Sequence, residues 1–108
     1  MKREHNESDW KRFGKIVPEL RERYLEKKNK ELLKSLSDAG KTPTEQFWDT
    51  FEKMKKEKKI LEDCLDGHSR SKQFFYMVSM CSYGMMRKED LDGFSEELKS
   101  SLAEYIKE

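Results

Sequence analysis

Residues 74–86 (FFYMVSMCSYGMM) carry no charged side chain, in a chain of 108 residues of which 42% are Asp, Glu, Lys or Arg. That contrast restricts the fold. An uncharged run among so many ions is where water is excluded, so the segment is expected to form an interior element with charged elements wrapped around it. Its secondary structure is limited by what the chain lacks. With two Val, three Ile and three Thr, and no alternation of β-branched with polar residues, strands have no support.

Helix punctuation is frequent instead. Ser8 can cap a short helix through Phe13, weakened by Gly14. Pro18 suits the first position of a second helix over 18–37, which places Leu20, Tyr24, Leu25, Leu32, Leu33 and Leu36 on one side. A continuous helix from residue 9, kinked at Pro18, is the alternative. Thr42-Pro43-Thr44-Glu45 is a capping box with proline at N1, the clearest start signal in the chain. The helix it opens carries Phe47, Trp48, Phe51, Met54, Ile60, Leu61, Cys64 and Leu65 at spacings near 3.6, and Gly67 is a natural stop. A fourth helix is expected over 69–83, ending at Gly84. A short turn at 88–92 and Gly93 lead to Ser95, which caps a last helix with Leu98, Leu102, Tyr105 and Ile106 inward. The expected architecture is all-α: one domain over 1–108, with residues 1–7 disordered, as a bundle of four to five helices around the apolar helix at 69–83.

The core is thin. Leu, Ile, Val and Phe together number 21, and six Met, two Trp and four Tyr supply further apolar mass. Twenty-three basic against 22 acidic residues leave a net charge of +1. Nucleic-acid affinity draws on excess Lys and Arg, so this balance disfavours a dedicated nucleic-acid binder. The densest basic run, residues 53–59, has Asp49, Glu52 and Glu62 three or four positions away and reads as a solvated, ion-paired face. No apolar run reaches the length needed to cross a bilayer, and residues 1–10 lack the hydrophobic stretch of a secretory signal. With two cysteines, the expectation is reduced thiols and a cytoplasmic protein without membrane association.

One junction breaks a local rule. Asp63 and Asp66 sit at the expected C-terminus of the third helix, where the macrodipole favours cations. Arg70 and Lys72 sit at the start of the fourth, where it favours anions. The functional reading is a pocket in which His68, Ser69, Arg70, Ser71 and Lys72, with Asp66 at the rim, hold a phosphate-bearing ligand. The plainer reading pairs Asp66 with Arg70 across the turn, with Ser69 as a helix cap. Cys64 and His68 offer nucleophile and base, or two metal ligands, but no second His follows and there is no CxxC. In an antiparallel pair Cys81 would stand about 13–15 Å from Cys64 along the axis, too far for a disulfide. Neither catalysis, a metal nor a cofactor is therefore expected.

Apolar residues outside the expected core are candidates for partner binding. Met85 and Met86 follow Gly84 into a loop, where they either form a small exposed apolar patch or fold back under the last helix. Trp10 and Phe13 belong to an N-terminal cluster that either closes the core or reaches another chain. The sequence thus points to a small helical interaction or regulatory module, acting on a protein partner or on itself as a homodimer. Its alternative is the anion site at 67–72.

Overall fold

A computed structural model describes residues 7–107, and the fold is all-α. Among the described residues there are four α-helices: α1 (Glu7–Leu36), α2 (Pro43–Leu65), α3 (Gln73–Ser82) and α4 (Glu96–Leu102). Three 3₁₀ turns, Arg70–Lys72, Lys88–Leu91 and Ala103–Tyr105, join or extend them. The expectation of disorder over residues 1–7 falls largely outside the described residues, but Glu7 is already helical.

The alternative of a continuous first helix holds, and the break at residue 18 does not occur. Pro18 lies inside α1, where its missing N–H leaves the carbonyl of Gly14 without its usual donor. Both residues are exposed, so that carbonyl lies on the watered side of the helix. Helix α2 begins as its sequence dictates. Thr42 Oγ1 accepts from the Glu45 N–H at 3.1 Å, while the Glu45 carboxylate accepts from the Thr42 N–H at 2.9 Å. It ends at Leu65, with Asp66 extended and Gly67 at φ 72°.

Helix α3 is shorter than the expected 69–83. Its first turn is the 3₁₀ segment Arg70–Lys72, and regular helix runs only from Gln73. Met77, Met80 and Cys81 are fully buried, but Phe75 is 68% exposed, so one side of this apolar helix faces water. The long α1 holds the bundle together in its place. Its first half adds Phe13, Ile16 and Leu20 to the buried cluster that also holds residues of α3 and α4, and bonds through Asp9 to Gln73 and Ser95. Its second half pairs with α2 alone among the described contacts beyond residue 28.

Polar contacts fasten α1 to the end of the chain. The Asp9 carboxylate is buried and accepts from the Ser95 N–H at 2.8 Å and the Ser95 hydroxyl at 2.6 Å. Arg23 donates in a fork to Asp90, at 3.0 and 2.6 Å, and also to the Met85 carbonyl. Burial tends to raise the Asp90 pKa, but the Arg23 fork and the Arg87 N–H outweigh it and hold the carboxyl below its ordinary range.

The resulting shape is elongated. The radius of gyration is 16.6 Å and the extents are 56 × 25 × 22 Å, against roughly 13 Å expected for a compact chain of this length. The excess comes from the α1–α2 hairpin, which projects beyond a head formed by α3, α4 and the first half of α1. Among the described residues no helix is long and apolar enough to cross a membrane.

Candidate protein-interaction surface

The exposure considered at 85–86 does not occur, and the N-terminal cluster takes its core-closing alternative. Met85 and Met86 are each 1% exposed, because Gly84 at φ 79° turns the chain back and both their N–H groups bond to the Met80 carbonyl. Phe13 is also buried, stacked on a half-buried Trp10 at 5.9 Å between centroids. The patch anticipated at 85–86 and Phe13 is therefore core.

The 63–72 junction is tied to α1 by contacts the sequence did not announce. Arg70 does not reach Asp66. Its guanidinium forks onto Glu7, at 3.2 and 2.8 Å, and lies over the Trp10 ring at 5.4 Å. His68 Nε2 donates to the Cys64 carbonyl at 2.7 Å, satisfying a group at the end of α2. Its ring packs between Phe13 and Tyr76, at 4.9 and 4.6 Å, and the Tyr76 hydroxyl donates to the Gly67 carbonyl. Ser69 precedes the 3₁₀ turn without capping it and stands 3.4 Å from the Ser71 hydroxyl, while Lys72 is exposed.

Neither cysteine is chemically available. Cys64 and Cys81 are free thiols with no exposed surface. Burial first, and Asp63 second, push Cys64 up to about 12; burial first, and Asp90 second, push Cys81 up to about 11. Among the described residues no group of three or more His, Cys, Asp or Glu side chains is placed to hold a metal ion.

The exposed apolar surface lies where core was expected. Phe47 and Trp48 are 56% and 55% exposed, and Leu33, Leu36, Phe51 and Met54 are exposed with them. The three aromatic rings contact one another edge to face, at 4.9 and 5.8 Å. Helix geometry explains the placement. The hairpin closes through a seam carrying Tyr24, Lys28 and Ser35 on α1 against Thr50, Glu57 and Cys64 on α2. At 100° per residue, Leu25, Leu32 and Leu36 stand about a quarter turn from that seam, as do Phe47, Phe51, Met54, Leu61 and Leu65.

The seam itself is notably polar. Thr50 donates to the Ser35 hydroxyl at 2.8 Å, both groups being buried. Buried Tyr24 donates to Glu57, and Lys28 lies 3.6 Å from the same carboxylate. Burial first, and Glu57 second, raise the Tyr24 pKa well above the ordinary tyrosine value. Beside this seam the two apolar rows flank a groove of about 500 Å³, walled by Leu25 and Leu32 on α1 and by Met54, Leu61 and Leu65 on α2. Its charged lining is balanced, with Arg21, Lys28 and Lys58 against Glu57, Glu62 and Asp66. Asp66, first considered as the rim of an anion pocket, thus lies at the base of this groove.

Sequence periodicity revealed every residue of this stripe but assigned it to the interior, because a 3.6-residue period shows that a face is apolar and not what covers it. Comparison with protein families, curated proteins and solved structures finds no match to the chain.

Proposed function

We propose that this chain is a helical interaction module, and that the apolar side of the α1–α2 hairpin is the surface that receives a protein partner. One observation carries the reading: the hairpin keeps polar pairs in its own seam and leaves Leu36, Phe47, Phe51 and Met54 exposed and Leu25 and Leu32 half-buried beside it. Exposed apolar stripes of this kind, bordered by charges, mark binding surfaces rather than ordinary solvent-facing helix. Trp48, Phe47 and Phe51 supply the large rings on which interface energy concentrates.

The alternative, a phosphate-bearing ligand held at 67–72, has less support. Arg70 is engaged by Glu7, and the His68 Nε2 proton is directed at a backbone carbonyl. Binding there would require those contacts to be exchanged for the ligand's.

Site-specific photo-crosslinking tests the proposal. A photoreactive phenylalanine replacing Phe51 should couple to protein when cells expressing the chain are irradiated, while the same group replacing Glu97 on α4 should not. Coupling at both positions alike, or at neither, rejects the hairpin face as an interaction surface.

A further inference from the structure

A second cavity carries a charge pattern unlike that of the groove. It lies where the middle of α1 faces the chain leaving α3, and its volume is about 80 Å³. Arg23, Lys27, Lys28 and Arg87 wall it, with Tyr24 and Tyr83 beside them, and no carboxylate lines it. We infer that this cavity binds a dianionic phosphate group, either the free ion or the monoester end of a larger molecule.

The sequence builds the cavity from two sides. Arg23 and Lys27 are four residues apart, as are Tyr24 and Lys28, so one side of α1 presents three cations within about two turns. Like charges at that spacing destabilise a helix, and an anion placed between them relieves the cost. Opposite, Gly84 at φ 79° turns the chain back, buries Met85 and carries Arg87 to the other wall. Arg23 is already fixed in place. It donates to the Met85 carbonyl at 3.0 Å and forks onto Asp90 at 3.0 and 2.6 Å. A guanidinium has N–H groups beyond those engaged in these bonds, and they remain for a ligand.

Charge selects the class of ligand. The neighbouring acids stand behind the cationic wall: Asp90 holds Arg23, while Glu57 and Glu31 lie 3.6 and 3.4 Å from Lys28. Glu31 is one turn beyond Lys27 on α1, yet it pairs with Lys28. The charge of Glu89 reaches Arg23, and that of Arg87 reaches Asp90. Neither Lys27 nor Arg87 has an ion pair among the described residues. Two cations thus line the cavity without a partner, which matches the charge of about −2 that a phosphate monoester carries at neutral pH. A carboxylate, with one charge, would leave a cation unmatched.

Size and donor chemistry agree with this. A volume of 80 Å³ is room for roughly two or three waters at about 30 Å³ each, enough for a tetrahedral oxyanion. Organic ligands occupy roughly 300 Å³ or more, so whatever carries the phosphate stays outside. Guanidinium groups fork onto phosphate oxygens, and ammonium groups act on them as point charges. The exposed Tyr83, whose hydroxyl makes no hydrogen bond among the described residues, supplies one more donor. The junction at 67–72 offers less, because its Arg70 is forked onto Glu7.

An NMR titration of the full chain at constant ionic strength tests the site. The probes are inorganic phosphate, phosphoserine and, as a monoanion, acetate. Both phosphate probes should produce saturable shifts at the amides of residues 23–28 and 83–87. Acetate should bind roughly tenfold more weakly. Saturation by inorganic phosphate alone would assign the site to the free ion; saturation by phosphoserine as well would assign it to the group wherever it is carried. Lys27→Gln and Arg87→Gln replace exposed side chains and should leave the helical circular dichroism unchanged. Each should weaken phosphate binding roughly threefold, and the pair roughly tenfold. Arg70→Gln should have no effect. The inference is overturned if the shifts never saturate, if acetate binds as tightly as phosphate, or if the paired substitution leaves affinity unchanged. Shifts centred on 67–72 and abolished by Arg70→Gln would overturn it equally, by placing the anion at the other junction.

Discussion

Asp9 and Asp90 show how much single carboxylates contribute when their partners lie far along the chain. Asp9 is buried and accepts two hydrogen bonds from Ser95, 86 residues away, so it acts as an external cap on α4. Asp9→Ala should cost about 1–3 kcal/mol, because it leaves the Ser95 N–H without its acceptor. Urea unfolding should show a lower midpoint at unchanged slope, and an unchanged midpoint would refute the role. Asp90 gives a pH dependence whose sign is determined. Its folded pKa lies below the ordinary value of 3.8, so its contribution is fully present above that value. It is lost as pH falls towards the depressed folded value. Asp90→Asn should therefore lower stability at neutral pH and flatten the acid limb of a stability profile. An identical acid limb in wild type and variant would exclude this. Neither residue stood out among 22 acidic side chains, since spacing along the sequence reports neighbours within a few turns and not partners 67 or 86 positions distant. Arg70 did attract attention, but the nearby Asp66 was a misleading partner; Glu7, 63 residues away, holds it.

Among the elements, α2 was legible almost to the residue. Thr42, Pro43, Glu45 and Gly67 each act within one turn, and local chemistry decides the outcome. α1 was less so. A proline suits both the first turn and a solvent-facing break in the hydrogen-bond ladder, and only packing against the rest of the chain selects between them. The apolar rows of α1 and α2 were visible, but their covering was not. In their place, a buried hydroxyl pair lies where the two helices touch, and it makes a sharp prediction. Thr50→Val leaves the Ser35 hydroxyl without its donor in a dry seam and should cost about 1 kcal/mol. Joining it to Ser35→Ala removes both polar groups and should return much of that loss, since neither hydroxyl then lacks a partner. A double-mutant cycle by thermal unfolding measures the coupling. Strict additivity of the two changes would show that the hydroxyl pair holds nothing.

At the scale of the whole molecule, apolar burial is unevenly distributed, and stability should follow it. Among the described residues, the largest side chains with less than 2% of their surface exposed lie in the head or at its junction with the hairpin: Phe13, Leu20, Cys64, Met77, Met80, Cys81, Met85, Met86 and Leu102. The projecting half of the hairpin is held by the Ser35–Thr50 pair, loop contacts such as Lys41 with Asp49, and a narrow seam. Elements with few buried apolar contacts open at lower free energy than the core around which the chain folds. In dilute solution, amide exchange should be slowest in α3 and in α1 up to Tyr24. It should be markedly faster over residues 29–36 and 43–54, although both stretches are regular helix. The uncharged segment at 74–86 would then be the slow centre its composition foretold, despite the exposed side at Phe75. A hairpin tip already as protected as α3 in dilute monomer would mean that the polar seam suffices on its own, and the apolar rows would need no partner to be stable.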